Sequence, residues 1–129
     1  TGYADFKKIE NNYAYAQKTY KEIDDKILGL QQYLINKDKE YKSIESPLSK
    51  KNFEEKTEKE YKAKEDAVLK LKLQKEEEIF NNIQTASKIV SAEKKIDVVF
   101  DYRVILTGGV DLTQDIINYL NGNKLPAKK

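Results

Sequence analysis

Few residues of this chain could carry a reaction. It contains no His and no Cys, which removes the commonest general base, the commonest metal ligand, the thiolate nucleophile and any disulfide. Carboxylates are plentiful, but runs such as Glu76-Glu77-Glu78 stand beside lysines at helical spacing and read as solvated faces. Gly108-Gly109 lacks the Gly-Lys-Ser/Thr continuation of a phosphate loop and reads as a turn. No Ser occupies a strand-to-helix elbow of the kind that exposes a nucleophile. An enzyme is not expected, nor a cofactor or a metal. Nucleic acid is not expected either. The 24 basic and 22 acidic residues are interspersed, to a net charge of +2, whereas a nucleic-acid binder collects its Lys and Arg on one face. The end, Lys124 to Lys129, is locally basic and reads as a frayed tail.

The chemistry that remains is apolar contact. Leu69, Leu73 and Phe80 fall on one helical line by steps of four and seven, and Leu28 with Ile35 forms a shorter line, with Tyr15 and Tyr33 nearby. A line of exposed apolar residues marks an interaction surface more often than scattered ones do. Lys50 and Lys51 add candidates for weak charge contacts.

These residues have to be held by long helices. From Phe6 to Ile44 the apolar residues Phe6, Ile9, Tyr13, Ala16, Tyr20, Ile23, Ile27, Leu30, Leu34, Tyr41 and Ile44 recur by steps of three and four, with Lys37 in one apolar slot. That is the heptad spacing of a coiled-coil stripe. Asp5 is a candidate N-cap behind a short strand at Gly2-Tyr3. The predicted helix is on the order of 60 Å long, too long for a compact core. Its end falls at Glu45 or Ser46, ahead of Pro47. A second helix is predicted from about Lys50, capped by Ser49, to about Glu93. Its stripe of Phe53, Thr57, Tyr61, Val68, Leu71, Ile79, Ile83, Ala86 and Val90 has an eleven-residue component in Thr57, Val68, Ile79 and Val90. Two helices joined by a short turn make an antiparallel hairpin in which each stripe buries the other. Charged residues at 36% with only five Gly and two Pro fit long helices, since disordered chains lack such stripes.

After Lys94-Lys95 the period falls to two. Ile96 to Phe100 and Arg103 to Thr107 read as strands, Gly108-Gly109 as a turn, and Val110-Asp111-Leu112 as a third short strand. Thr113 or Asp111 then caps a helix, Gln114 to Leu120, that turns Ile116, Ile117 and Leu120 inward and stops at Asn121-Gly122. So short a sheet cannot cover its own edges, so an oligomer that closes it is expected. The fold class is α+β, mostly α. Residues 1–20 and 94–129 form a β-rich body, and 21–93 form a coiled-coil hairpin with its tip near 45–52. No run of about 18 apolar residues is present to span a membrane. No signal peptide is read either, and Thr1 to Asp5 look like the middle of something longer.

This order of elements resembles the Skp (OmpH) family of periplasmic chaperones. The opening Gly2-Tyr3-Ala4-Asp5-Phe6-Lys7-Lys8-Ile9 resembles the family's first strand running into its first helix. Ile96 to Asp101, Val104-Ile105-Leu106, Val110 to Ile117 and Leu120-Asn121 resemble its C-terminal strands, its turn and its last helix, and carry most of the likeness. The resemblance implies a homotrimer whose strands close a central β-barrel, with Tyr3, Val98, Phe100, Val104, Leu106, Ile116, Ile117 and Leu120 in that body. It implies helical tentacles around a cavity that holds unfolded outer-membrane proteins without ATP, in the periplasm of a Gram-negative-type bacterium. Tyr15, Leu28, Tyr33, Ile35, Leu69, Leu73, Phe80, Lys50 and Lys51 are then the client-binding candidates, with weak contact to membrane surface or lipid as a further expectation. The family is often strongly basic and this chain is near neutral, which shifts the weight to the apolar lines. The alternative is a structural coiled-coil envelope scaffold that binds one folded partner. A prefoldin-like chaperone shares the arms, but its chain order does not place strands at both ends of the helical hairpin.

Overall fold

The change of periodicity after Lys95 predicts a mostly α chain with one small sheet, and that is the fold. The computed structural model describes residues 1–122, and the basic tail Lys124 to Lys129 lies outside them. In chain order the elements are β1 (Gly2–Ala4), α1 (Phe6–Asn12), α2 (Ala14–Lys42), α3 (Pro47–Glu93), β2 (Val99–Asp101), a 3-10 turn (Tyr102–Val104), β3 (Val110–Asp111) and α4 (Thr113–Asn121). They divide between a body unit, Thr1–Thr19 with the chain from Lys75 onward, and a hairpin unit, Tyr20–Gln74.

In the body unit, β1 lies between β2 and β3 and is parallel to both. Gly2 pairs with Val99 on one side and Val110 on the other. The space beside Gly2 is tight: a Cβ there would stand 3.0 Å from Leu112 Cδ1 and 3.2 Å from Ile96 Cγ2, and both side chains would have to shift to admit it. Asp5 then caps α1, accepting from the Lys8 amide at 3.1 Å, while its own amide donates to Thr113 Oγ1 at 2.9 Å. That bond ties the first cap to the start of α4. Around it pack Ile9, Tyr13, Ala16, Ile79, Ile83, Ala86, Val90, Leu112, Ile116, Ile117 and Leu120, all buried. Each large member contributes about 1.5–3 kcal/mol by burial. The inward face predicted for Ile116, Ile117 and Leu120 is therefore a face of this chain's own core.

The first long helix is not continuous. Tyr13 adopts an extended conformation (φ −87°, ψ 110°) between α1 and α2. Its side chain still fills its heptad slot in the core, 2% exposed, but the break leaves backbone groups on either side without helical partners. The side chain of Asn121 takes both of them. Its Oδ1 accepts from the Ala14 amide at 2.9 Å and its Nδ2 donates to the Asn12 carbonyl at 2.8 Å.

Within each unit α2 and α3 pair antiparallel. In the hairpin unit Tyr33 meets Glu60 and Tyr41 meets Phe53; in the body unit Tyr13 meets Asn82 and Tyr15 meets Glu78. Ile23 is the one buried apolar residue of the hairpin unit among the described residues. Its Lys and acid pairs at i,i+4, such as Lys21 with Asp25 and Lys62 with Asp66, lie on exposed faces and add little.

Further details depart from the sequence reading: β2 begins at Val99 rather than Ile96. α2 ends at Lys42, and α3 begins at Pro47 rather than Lys50. Proline is well placed in the first helical position, where its missing amide has no partner to lose, and Ser46 rather than Ser49 supplies the cap, with Ser46 Oγ accepting from the Ser49 amide at 3.3 Å. Arg103 to Thr107 is not a strand. Asp101 accepts from both the Arg103 amide at 3.0 Å and its guanidinium at 2.9 Å, which folds Tyr102–Val104 into the 3-10 turn. α4 stops at Asn121 as expected, yet Gly122 has φ −82° and does not use the left-handed conformation of a glycine cap. That conformation occurs instead at Lys95 (φ 58°), which closes α3 through bonds from the Ile96 amide to the Ser91 carbonyl and from the Lys95 amide to the Ala92 carbonyl.

Candidate functional site: exposed apolar surfaces

The seam of the hairpin unit is set by Ile23, Ile27, Leu30 and Leu34 on α2, facing Tyr61, Val68 and Leu71 on α3, which are buried or half-buried except for the more exposed Leu34. Leu28 and Ile35 each follow a seam residue by one position, as Leu69 follows Val68. One residue turns a helix by about 100°. Reversing a helix reverses both its travel and its apparent rotation, so a one-residue advance on two antiparallel helices points to the same side of the pair. Leu73, one turn beyond Leu69, shares that side. All four are exposed, Leu28 by 59%, Ile35 by 50%, Leu69 by 52% and Leu73 by 67%. The hairpin unit thus brings four of the sequence-derived candidates onto one side, outside its own seam.

Tyr15 and Tyr33 are not with them. The Tyr33 hydroxyl donates to Glu60 at 2.9 Å, and Lys37 and Lys64 stand over its ring at 5.5 and 5.1 Å. Burial, then the Glu60 bond, pushes its phenol above the usual 10.0. In the body unit, Tyr15 donates to Glu78 at 2.7 Å and accepts from Lys75 at 3.3 Å, a bond that raises the Lys75 ammonium pKa. Both tyrosines fasten α2 to α3, so their polar ends are engaged within the chain. Lys50 is engaged too, 4.9 Å over the Tyr41 ring, and Lys51 is exposed. Phe80 belongs to the body unit, where its ring lies 5.8 Å from Phe6. Leu48, 69% exposed in the first turn of α3, escapes the sequence reading because it belongs to no heptad line. No helix among the described residues is long and apolar enough to cross a membrane, so these side chains are not parts of a spanning helix.

The second surface is on the body unit. Val98, Phe100, Val104 and Leu106 are exposed, Leu106 by 98%, while Tyr3 is half-buried and Ile116, Ile117 and Leu120 are buried within the chain. Val110 and Tyr102, also exposed, join this surface although neither was a candidate. Gly108 and Gly109 hold the loop beyond Leu106 in left-handed conformations (φ 81° and 91°) that other residues adopt only with strain. Beside β2 an open apolar groove of about 430 Å³ is lined by Phe6, Ile9, Phe80, Ile83 and Phe100, with the Asp101 and Arg103 pair at its rim.

Comparison of the chain with protein-family models finds no match, and comparison with curated proteins likewise finds none.

Proposed function

We propose that this chain is one protomer of an ATP-independent holdase of the Skp type, a homotrimer that keeps unfolded outer-membrane β-barrel proteins soluble in the periplasm until membrane assembly. The observation that carries the reading is the set of four exposed apolar side chains, Leu28, Ile35, Leu69 and Leu73, on one side of a highly charged helix pair. An unfolded β-barrel strand presents an apolar residue at every second position. A row of separated leucine and isoleucine side chains meets such a segment by many weak contacts and demands no fixed sequence, as a holdase requires. Oligomerisation is supported by the sheet, whose three parallel strands of two or three residues leave two edges unpaired.

The test is suppression of aggregation. A urea-unfolded porin is diluted into buffer with the protein and light scattering is followed. Both positions are exposed, so Leu69→Ser with Leu73→Ser costs the fold little. The double variant is expected to remain trimeric and to suppress scattering several-fold less well than the unaltered chain. Equal suppression would remove the hairpin leucines from the function. A chain that ignores unfolded porin altogether would instead be the envelope scaffold, bound to a folded partner.

A further inference from the structure

We infer that Asn121 is a spontaneous deamidation site, held back in the folded chain by the clip it makes across the α1–α2 break, and that its reaction undoes that clip. Asparagine is a thermolabile residue, and it reacts fastest before glycine, where no Cβ hinders the next backbone nitrogen. Asn121 is the one Asn of the chain that Gly follows. The backbone gives no reason for a glycine there, since Gly122 has φ −82° and ψ 5°, angles that residues with a Cβ also adopt. Asn121 and Gly122 are both exposed, so water reaches the reacting atoms.

The reaction needs water alone. The Gly122 nitrogen gives its proton to solvent and attacks Cγ of Asn121. The new N–Cγ bond closes a succinimide ring, the Cγ–Nδ2 bond breaks, and Nδ2 leaves as ammonia with a proton from water. A second water opens the ring, at Cγ to give aspartate or at the backbone carbonyl carbon to give isoaspartate. The sum is amide plus water to acid plus ammonia.

In the folded chain each of these groups is engaged. Nδ2 donates to the Asn12 carbonyl at 2.8 Å, Oδ1 accepts from the Ala14 amide at 2.9 Å, and the Gly122 amide donates to the Asn118 carbonyl at 2.9 Å. Attack requires the end of α4 to open and the side chain to leave the break, so the folded rate is the unfolded rate scaled by that opening. The product does not restore the clip. A carboxylate still accepts from Ala14, but it has no proton for the Asn12 carbonyl, and two acceptors then face one another across the former bond. The joint between α1 and α2 therefore passes one way, from clipped to unclipped.

The chain is incubated at mildly alkaline pH, folded or in guanidinium chloride, and deamidation at each Asn is followed by peptide mass spectrometry. In denaturant Asn121 is expected to outpace every other Asn, and folding should slow it about tenfold or more. Ala14→Pro removes the amide that holds Oδ1. It sets proline in the first position of α2, behind the extended Tyr13, where both residues fit. This variant should raise the folded rate several-fold and leave the denatured rate unchanged, whereas Gly122→Ala should slow both. Asn121→Asp, which mimics one product, should show a lower urea midpoint than the unaltered chain. Denatured Asn121 reacting no faster than the other Asn residues would overturn the site. Equal folded and denatured rates, or a folded rate unmoved by Ala14→Pro, would overturn the clip as its guard. An unchanged midpoint in Asn121→Asp would overturn its effect on the fold.

Discussion

Lys95 carries a left-handed backbone that costs a residue with a Cβ about 1 kcal/mol, and the chain accepts it to close α3. Lys95→Gly is expected to stabilise the protein by about 1 kcal/mol, measured as a rise in the urea midpoint at unchanged slope. Asp111 and Asp101 work by charge. The Thr113 hydrogen bonds hold the Asp111 carboxyl below its ordinary 3.8, and the Arg103 bonds do the same for Asp101. A carboxyl that titrates lower in the folded state than in the unfolded one adds stability above pH 3.8, and that stability is lost as pH falls through the folded value. Asp111→Asn should therefore weaken the protein at neutral pH and show a shallower acid limb, the two curves converging below about pH 4. A constant offset across the whole range would mean that the carboxylate charge is irrelevant. Tyr13 has the opposite sign. Burial raises its phenol above 10.0, so its contribution is complete below pH 10 and declines at higher pH.

At the scale of the element, the heptad residues were legible because their partners lie one and two turns away and leave a period. The lines Leu28 with Ile35 and Leu69 with Leu73 were legible for the same reason, as positions off the seam. Tyr13 was not. Its place in the stripe is right, but the break there is held by Asn121, whose bonds to Asn12 and Ala14 span 109 and 107 positions, and no local pattern records them. Pro47 predicts the end of the first helix, and it also serves as the first helical residue of α3. Arg103 to Thr107 has strand-forming residues, yet the Asp101 carboxylate turns the backbone before they can pair. Tyr15 and Tyr33 stand among the client-binding candidates in the sequence because their carboxylate partners, Glu78 and Glu60, lie on the other helix. Asn121→Ala is expected to destabilise the protein by about 1 kcal/mol and to raise hydrogen exchange at the Ala14 amide selectively. Exchange that rises equally throughout α2 would show that Asn121 is no local clip. Lys37 occupies a seam slot beside an open groove of about 380 Å³ lined by Leu34, Tyr41, Phe53, Thr57 and Tyr61. Lys37→Leu restores the heptad at the cost of cation–π contacts to Tyr33 and Phe53. A net gain of about 1 kcal/mol is expected, read from thermal unfolding.

For the molecule as a whole, two sets of exposed apolar residues call for two kinds of partner. Parallel strands are ordinarily covered on both faces, and here Val98, Phe100, Val104, Leu106 and Val110 are exposed at the sheet and its loop. In the proposed oligomer a second copy of the chain would cover them. Leu28, Ile35, Leu69 and Leu73 are exposed and separated along charged helices, an arrangement that suits an extended, variable ligand better than a folded one. The two roles predict separable defects: substitutions at Leu106 change the number of chains, and substitutions at Leu69 and Leu73 change what the assembly holds. Native mass spectrometry of the chain mixed with a urea-unfolded porin tests both together. The account predicts a species at three times 15.0 kDa and a second one heavier by a single porin chain. A monomer that takes up no porin would contradict it.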